Sequence, residues 1–300
     1  MIRVLGTVFA ALMGLAFGSF LNVCLTRWPA GESIVKPRSH CRSCGRTLAW
    51  WENVPLLSWL ALRGRCRTCR TWIGWRYSLV EAAISALWAT VAWRFLELAL
   101  DPDVPAISRF LHYNVYNDFS ATMGKMIFFW LLIALAALDL EHLWLPDWLT
   151  LPGITLGVIF SAVYRSIGDR YSDAPSSSTL RIGLQSAFGS AFAILAAAGL
   201  ILLIRWIYKL IRHHEGLGLG DAKLMAMLAA WLGLPGALLS FAIGVVLGSL
   251  AGIVVLTRNK GSESWATTKL PLGTFLCIGG VVSSLWGQPI IAAYVRWAGF

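Results

Sequence analysis

The sequence has few charged residues for its length. Of its 300 residues, 13% are charged and 57% are hydrophobic, whereas a water-soluble domain carries about 25% charged residues. This shortage excludes an ordinary soluble enzyme, and it also excludes a disordered protein, because disorder requires low hydrophobicity. Several separate apolar runs reach the roughly 20 residues that cross a bilayer, which excludes a protein with a single membrane anchor. We therefore expect a polytopic membrane protein.

Apolar runs bounded by glycine, proline and charged residues predict an all-α fold of about eight transmembrane helices. The sixth run is short, and the eighth contains Pro289 and could end near Trp286. In chain order, the runs cover residues 4–25, 78–100, 123–140, 149–165, 183–207, 222–234, 237–256 and 271–295.

The 25 Lys and Arg residues are distributed unevenly, and this predicts the orientation. With the N-terminus outside, 17 of the 25 lie in four loops on one face, at residues 26–77, 141–148, 205–223 and 257–270. Short cytoplasmic loops are enriched in Lys and Arg. We therefore expect this face to be cytoplasmic, the number of spans to be even, and both termini to lie outside.

Four of the six cysteines form two CxxC pairs that are separated by 21 residues, namely Cys41, Cys44, Cys66 and Cys69. Two such pairs supply the four thiolates of a tetrahedral zinc site. The alternative is a pair of disulfides, which requires an oxidising compartment, whereas the predicted orientation places this loop in the reducing cytosol. Because four cysteines leave no open coordination position, we predict a structural Zn²⁺ and not a catalytic one.

The loop that carries these cysteines is strongly basic. Residues 26–77 contain ten Lys and Arg against Glu32 and Glu52. Such a charge could bind nucleic acid, but the orientation of the chain and attraction to anionic lipid explain it better. We therefore predict membrane lipid as a partner of this loop, and no nucleic acid.

Two aspartates, Asp139 and Asp221, stand at the ends of predicted spans on the same face. Each alone has an ordinary explanation, since Asp221 is a suitable N-cap for the following helix and Asp139 could mark a helix end. Ionisable groups at membrane depth are costly, however, and a pair of them indicates function. If packing brings them together, one carboxylate holds a proton and the other is a base, as in an aspartyl protease. Gly218 and Gly220 would let the backbone approach an extended substrate.

The motif Gly218-Leu219-Gly220-Asp221 resembles the GxGD signature of intramembrane aspartyl proteases, and nearly the whole chain resembles the type IV prepilin peptidases. GxGD alone is weakly specific, whereas two CxxC pairs joined to both aspartate motifs in this order are highly specific. The further matching stretches are Gly18-Ser19-Phe20-Leu21-Asn22-Val23, Asn53-Val54-Pro55-Leu56-Leu57-Ser58-Trp59, Leu62-Arg63-Gly64-Arg65-Cys66, Leu79-Val80-Glu81, Asp139-Leu140-Glu141-His142, Leu145-Pro146-Asp147, Gly220-Asp221-Ala222-Lys223-Leu224 and Pro271-Leu272-Gly273.

The resemblance implies that Asp139 and Asp221 are the catalytic pair. It implies an inner-membrane enzyme that removes the short basic leader of type IV prepilins and type II secretion pseudopilins, cutting after glycine at the cytoplasmic face. It also implies N-methylation of the new N-terminus from S-adenosylmethionine, an activity associated with the cysteine loop. Gly64 and Arg65 match the family segment before the second CxxC pair and are the candidate methyl-transfer residues, although a tight turn explains Gly64 equally well. No glycine-rich cofactor fingerprint is visible in the sequence.

These expectations divide the chain into a first span (1–25), a zinc-binding, methyltransferase-associated loop (26–77) and a transmembrane peptidase core (78–300). Glu81, at the inner start of the second span, could bind a basic leader or pair with Arg76.

Two other functions compete with this interpretation. A proton-coupled transporter could use the same two aspartates as proton carriers, but the lack of an internal repeat and the presence of a zinc loop count against it. A membrane-anchored zinc-ribbon adaptor explains the cysteines but leaves both aspartates without a role.

Overall fold

The structure, a computed structural model, describes residues 1–100, 115–170, 179–213, 218–258 and 270–299. In these ranges the regular structure is helical, and it includes one 3₁₀ turn, Trp50–Asn53. The β-structure in these ranges consists of two isolated bridges, His40–Thr47 and Arg65–Trp72. The predicted all-α class is confirmed. The helices are α1 (Ile2–Arg27), α2 (Leu57–Ala61), α3 (Arg76–Ala99), α4 (Val115–His142), α5 (Asp147–Arg170), α6 (Thr179–Arg212), α7 (Leu219–Arg258) and α8 (Leu272–Trp297).

Within the described ranges, seven helices are long and apolar enough to cross a membrane, and one of them, α7, is too long for a single crossing. It has 40 residues, or about 60 Å at 1.5 Å per residue, whereas a hydrocarbon core is about 30 Å thick. At Gly233 the backbone leaves the helix, with φ 70° and ψ 176°. This break divides α7 into a first limb, residues 219–232, and a second limb, residues 234–258.

The second limb of α7 packs antiparallel to α8. Ser283 Oγ donates a hydrogen bond to the carbonyl oxygen of Gly236 at 2.9 Å. Eight residues further along α7, a Cβ built on Gly244 would meet Leu276 Cα at 3.2 Å. Residue numbers therefore rise along this limb while they fall along α8.

The first limb of α7 runs in the opposite direction. Leu228 packs on Gly280, while Gly220 and Gly273, near the starts of α7 and α8, both contact Leu145. Residue numbers rise together along the two helices, so the limb is parallel to α8. The chain thus reverses at the break, and α7 is a helical hairpin whose limbs match the predicted sixth and seventh helices. With this hairpin counted as two, the membrane segments among the described residues number eight, as predicted.

The last helix, α8, continues past Pro289 to Trp297, so the expectation that it could end near Trp286 is wrong. A proline removes one hydrogen bond from a helix, and helices in membranes tolerate it because neighbouring groups and local adjustments satisfy the freed backbone carbonyl. The residues after Pro289 begin with Ile290, Ile291 and two alanines, which extend the apolar helix.

Contacts divide the chain into two compact units, Met1–Thr122 and Met123–Phe300. The first unit contains α1, the cysteine loop and α3. The division proposed from the sequence, with a boundary after residue 77, stays a prediction, although α3 lies in the same unit as α1.

Within the first unit, α1 and α3 are antiparallel and pack through small residues. A Cβ on Gly14 would lie 2.7 Å from Ser85 Cα, and one on Gly18 would lie 2.7 Å from Glu81 Cα. No side chain fits at either glycine, so the two helices approach at backbone distance.

Candidate active site and metal centre

Asp139 extends a buried apolar stripe of α4. Leu132 and Leu135 precede it by seven and four residues, which places all three on one side of the helix. Both leucines are 0% exposed, and Asp139 is 5% exposed. The same packing that buries the leucines therefore carries this carboxylate into the interior of the second unit.

Asp221, in the first turn of α7, likewise extends a buried apolar face of its helix. Leu224, Met225 and Leu228 follow it by three, four and seven residues and are 0% exposed, while Asp221 is 9% exposed. Both aspartates are therefore the polar ends of apolar helix faces that pack into the core.

The interpretation of Asp221 as an N-cap is wrong. The helix begins at Leu219, so Gly218 is the capping residue and Asp221 is the third residue of the helix. Its Oδ2 accepts a hydrogen bond from the backbone N–H of Gly218 at 3.1 Å. A carboxylate at this position satisfies a free backbone donor at the helix start and interacts favourably with the helix dipole.

Thr274 holds the Asp139 carboxylate, and the sequence did not predict this role. The backbone N–H of Thr274 donates to Asp139 Oδ2 at 2.7 Å, and the Thr274 hydroxyl lies 3.2 Å from the same oxygen. Thr274 is in the first turn of α8, where backbone N–H groups have no partner within the helix. The matching stretch Pro271-Leu272-Gly273 directly before it was the available signal.

Leu145, in the loop after α4, joins the surroundings of the two aspartates. A Cβ on Gly273 would lie 2.9 Å from Asp139 Oδ2 and 3.0 Å from Leu145 Cδ1, and a Cβ on Gly220 would lie 3.1 Å from Leu145 Cβ. The missing side chains thus let the starts of α7 and α8 close on this loop. As a result, Asp139, which lies against Gly273, and Asp221, which follows Gly220, are both placed beside Leu145.

The predicted role of Gly218 and Gly220 in substrate approach stays a prediction. For Gly220 the structure gives a different constraint, the contact with Leu145. For Gly218, an added Cβ would make an ordinary contact, at 3.4 Å from Asp221 Oδ2.

An exposed ion pair lies near the starts of α5 and α7. Lys223 Nζ is 2.5 Å from Asp147 Oδ1, and the two side chains are 37% and 58% exposed. Asp147 therefore differs from the two buried aspartates, because it has both solvent and a cationic partner.

The four predicted metal ligands, Cys41, Cys44, Cys66 and Cys69, converge in the first unit. Their sulfur atoms all lie within 4.8 Å of one another, and none is in a disulfide. The Sγ atoms of Cys41 and Cys69 are 3.7 Å apart, and a tetrahedral site with Zn–S bonds of about 2.3 Å requires about 3.8 Å. The donor set and the spacing therefore fit a tetrahedral zinc ion.

Both CxxC pairs have the same backbone turn. The N–H of Cys41 donates to Arg46 O, and the N–H of Cys66 donates to Thr71 O, each at 2.9 Å. Hydrogen bonding by the Thr71 side chain lowers the pKa of Cys69 to about 6. This favours the thiolate form of Cys69, which is the form that binds metal, whereas hydrogen bonding with the neighbouring thiols raises the pKa of Cys44 to about 11.

Gly64, one of the two candidate methyl-transfer residues, adopts φ 66° beside the second CxxC pair. A Cβ there would meet Trp72 at 2.8 Å and Trp59 at 2.9 Å, so the tight-turn explanation has a direct structural basis. Arg65 forms the isolated bridge with Trp72. The role of Gly64 and Arg65 in methyl transfer stays a prediction.

Two family models match the chain. Residues 12–95 match the bacterial peptidase A24 N-terminal domain, and residues 126–253 match the type IV leader peptidase family. The first match includes all four clustered cysteines, and the second includes both buried aspartates.

Several curated proteins named prepilin leader peptidase/N-methyltransferase are similar to nearly the whole chain. The protein of Pseudomonas aeruginosa is 33% identical, over 96% of this chain and 93% of its own length. That of Burkholderia pseudomallei is 35% identical, over 94% and 85%. That of Xanthomonas campestris pv. campestris is 33% identical, over 98% and 96%. No solved structure matches the chain at a significant level.

Proposed function

Because the chain belongs to the type IV leader peptidase family, we propose that it removes the leader from prepilins and pseudopilins, cutting after glycine, and N-methylates the new N-terminus. The observation that carries this proposal is the pair of buried carboxylates, Asp139 and Asp221, within the part of the chain that matches the peptidase model. Its proposed location is the bacterial inner membrane, with this pair at the cytoplasmic face.

The hydrogen bonds suggest a role for each aspartate. The backbone N–H of Thr274 donates to Asp139 Oδ2 at 2.7 Å, and the Thr274 hydroxyl shares its one proton between this oxygen and the carbonyl oxygen of Ala136. Hydrogen bonds donated to a carboxylate stabilise its negative charge. Asp221 accepts one hydrogen bond, from Gly218. We therefore assign the base to Asp139 and the proton donor to Asp221.

In the proposed reaction, Asp139 takes a proton from water as the water oxygen attacks the carbonyl carbon of the glycine that ends the leader. Asp221 gives its proton to the carbonyl oxygen. When the tetrahedral intermediate collapses, Asp221 takes a proton back from a hydroxyl of the intermediate as the C=O bond re-forms, the C–N bond breaks, and the proton held by Asp139 passes to the leaving amine. The two carboxylates thus act as acid and base in one step and exchange roles in the next.

The test is leader removal from a prepilin-like peptide by the purified protein and its Asp139→Asn and Asp221→Asn variants. An amide can neither accept the proton from water nor donate a shared proton, so each variant should lose at least about 100-fold in kcat/KM. Both should remain folded in the membrane. Full activity in either variant would refute the dyad.

Asp147→Asn is the matched control for this experiment. It removes an acid from the same region, but Asp147 is exposed and paired with Lys223. An exposed ion pair contributes at most about 1 kcal/mol, so this variant should keep measurable cleavage. A complete loss of cleavage in Asp147→Asn would mean that cleavage also requires an acid outside the buried pair.

The transporter alternative receives no support from the comparisons, since both family models and the similar curated proteins carry peptidase names. It would become the leading explanation if the purified parent protein cleaved no prepilin-like peptide. The adaptor alternative has no role for the buried aspartates, and loss of cleavage in the two variants would exclude it.

For the cysteine cluster we propose a structural Zn²⁺ held by Cys41, Cys44, Cys66 and Cys69, because their geometry fits this ion. A loop of this size buries little apolar surface, so metal binding supplies much of its folding free energy. For the methyl-transfer activity we propose S-adenosylmethionine as the cofactor, which supplies the methyl group when bound.

A further inference from the structure

The first unit contains a cavity of about 320 Å³ between the ends of α1 and α3 and the cysteine loop. This volume is in the range of small-molecule binding sites. At its loop end the cavity is lined by Trp59 and Trp72, and at its helical end by Asn22, Ser78 and Glu81. The peptidase chemistry proposed above uses none of these residues.

Glu81 is a buried acid at the helical end of the cavity. It is 7% exposed, and its Oε2 accepts a hydrogen bond from the backbone N–H of Leu56 at 2.8 Å. Its Oε1 lies 3.4 Å from Asn22 Nδ2. Among the described residues, no basic side chain forms an ion pair with Glu81, so the predicted pairing with Arg76 is not observed. A buried carboxylate in this state lacks a compensating positive charge.

Two further acceptors beside Glu81 have no hydrogen-bond partner among the described residues. Asn22 is 3% exposed, and its Oδ1 is buried without a hydrogen bond in the described structure, as is the hydroxyl of Ser78. Ser78 precedes Glu81 by three residues on α3, so the two side chains share a face of the helix. A buried acceptor without a donor is costly. The helical end of the cavity therefore offers three acceptors and one negative charge.

We propose that this cavity binds S-adenosylmethionine, with Glu81, Asn22 Oδ1 and Ser78 Oγ accepting the hydrogen bonds of the ligand's ammonium group. An ammonium group carries one positive charge and three N–H donors, which matches this end of the cavity. The indole rings of Trp59 and Trp72, whose centroids are 5.8 Å apart, provide aromatic surface for the adenine ring. The inference rests on the proposed methyl transfer and assigns a site to its cofactor.

The substrate nitrogen that accepts the methyl group is less suited than the cofactor's ammonium to the helical end of the cavity. A nearby carboxylate stabilises the charged form of an amine, whereas the accepting amine must be uncharged to attack the methyl carbon. The ammonium of the cofactor keeps its charge throughout the reaction, so Glu81 suits it.

The test measures binding by isothermal titration calorimetry on the full-length protein, with S-adenosylmethionine, S-adenosylhomocysteine and 5′-methylthioadenosine. The last of these has the adenosine group but lacks the ammonium. Glu81→Gln removes the charge but still accepts a hydrogen bond from Leu56, so the loop should stay folded. Loss of a charged hydrogen bond should weaken the binding of S-adenosylmethionine and S-adenosylhomocysteine by about tenfold or more. The affinity for 5′-methylthioadenosine should stay unchanged.

Two further variants accompany Glu81→Gln. Ser78→Ala, a milder change, should weaken the two ammonium-bearing ligands by about threefold. Glu97→Gln removes an exposed acid from the same helix, one that pairs with Arg3, and should leave binding of all three ligands unchanged. Zinc content is measured in each variant as the check that the loop is folded.

The outcomes separate the inference from the function on which it rests. Unchanged binding of S-adenosylmethionine in Glu81→Gln and Ser78→Ala would overturn the inference while methyl transfer could still be detected in the parent. Equal weakening of all three ligands would also overturn it, because the effect would not come from the ammonium. A parent protein that neither binds S-adenosylmethionine nor methylates a cleaved peptide would overturn the inference together with the proposed methyl transfer.

Discussion

Gly220 and Gly273 shape the surroundings of the aspartates by the absence of side chains. Each lies against Leu145, and Gly273 also lies against Asp139 Oδ2. Both glycines are in the first turns of their helices, where any larger residue would hold the helix start away from the loop after α4. Close backbone approach, rather than a special backbone conformation, is what these two positions require.

We predict that Gly220→Ala lowers kcat/KM for leader cleavage by about tenfold or more. The added methyl group would lie 3.1 Å from Leu145 Cβ, so the loop or the helix must shift, and small displacements of catalytic groups have large effects on rate. Gly218→Ala is the matched control, because its methyl group would make an ordinary 3.4 Å contact. Cleavage and thermal unfolding are measured for both variants.

A different result would favour the role of both glycines in substrate approach. If Gly218→Ala lost cleavage as strongly as Gly220→Ala, with no change in unfolding temperature, packing against Leu145 would not explain the effect. Contact between the backbone and an extended substrate would then account for it better.

At the scale of elements, the hairpin of α7 explains how a short limb can position Asp221. The first limb has 14 residues, or about 21 Å, which is less than the roughly 30 Å of a full crossing. Gly233 has φ 70°, a conformation that glycine adopts without strain, and Pro235 follows it. The chain therefore turns back early, and the second limb is long enough to return along α8.

We predict that Gly279→Ala, within α8, destabilises the second unit by about 1–3 kcal/mol. A methyl group at Gly279 would overlap the carbonyl oxygen of Ser240 on the second limb of α7, and backbone cannot move aside as a flexible side chain can. Gly199→Ala in α6 is the matched control, since no neighbouring atom of the described residues lies within 4 Å of the added Cβ. Thermal unfolding in one detergent compares the two, and equal stability would contradict close packing of α7 on α8.

The two candidate sites lie in different units of the molecule. The cysteine cluster lies in Met1–Thr122, and Asp139 and Asp221 lie in Met123–Phe300. Loss of one site should therefore affect one activity more than the other.

We predict that Ser in place of any one of the four clustered cysteines releases zinc and lowers methyl transfer more than leader cleavage. A structural ion supports the fold of the loop and takes no part in peptide-bond chemistry. Cys66→Ser is the test variant, and Cys24→Ala, at a cysteine outside the cluster, should keep its zinc. Metal analysis and both activity assays decide the result. A parent protein purified without zinc would remove the basis of this prediction.

The eight segments and the basic loops predict that both termini lie outside the cytoplasm. A topology reporter fused after Phe300 should therefore read as periplasmic, as should one fused after Ser172, whereas one fused after Ser262 should read as cytoplasmic. These three positions lie outside the residues that the structure describes. If α7 crossed the membrane once, the reporter at the C-terminus would instead be cytoplasmic. The opposite pattern at Ser172 and Ser262 would overturn the orientation.

Much of the fold and the candidate sites could be predicted from local sequence patterns. Apolar runs of sufficient length predicted the membrane helices, including the two limbs of α7, because a helix in lipid satisfies its own backbone hydrogen bonds. Spacing predicted the cysteine cluster, because each CxxC pair forms a single turn. The resemblance singled out Asp139 and Asp221, which also end stripes of buried residues such as Leu135 and Leu224.

Only the tertiary structure decided what surrounds these groups. The hydrogen bonds from Thr274 to Asp139, the contact of Leu145 with Gly220, and the cavity beside Glu81 join segments that are distant in the chain. Such contacts depend on how helix faces pack in three dimensions, and side-chain periodicity reports only which face is buried. The sequence by itself thus determined the class of protein and the identity of its chemical groups, while helix packing determined which of them meet.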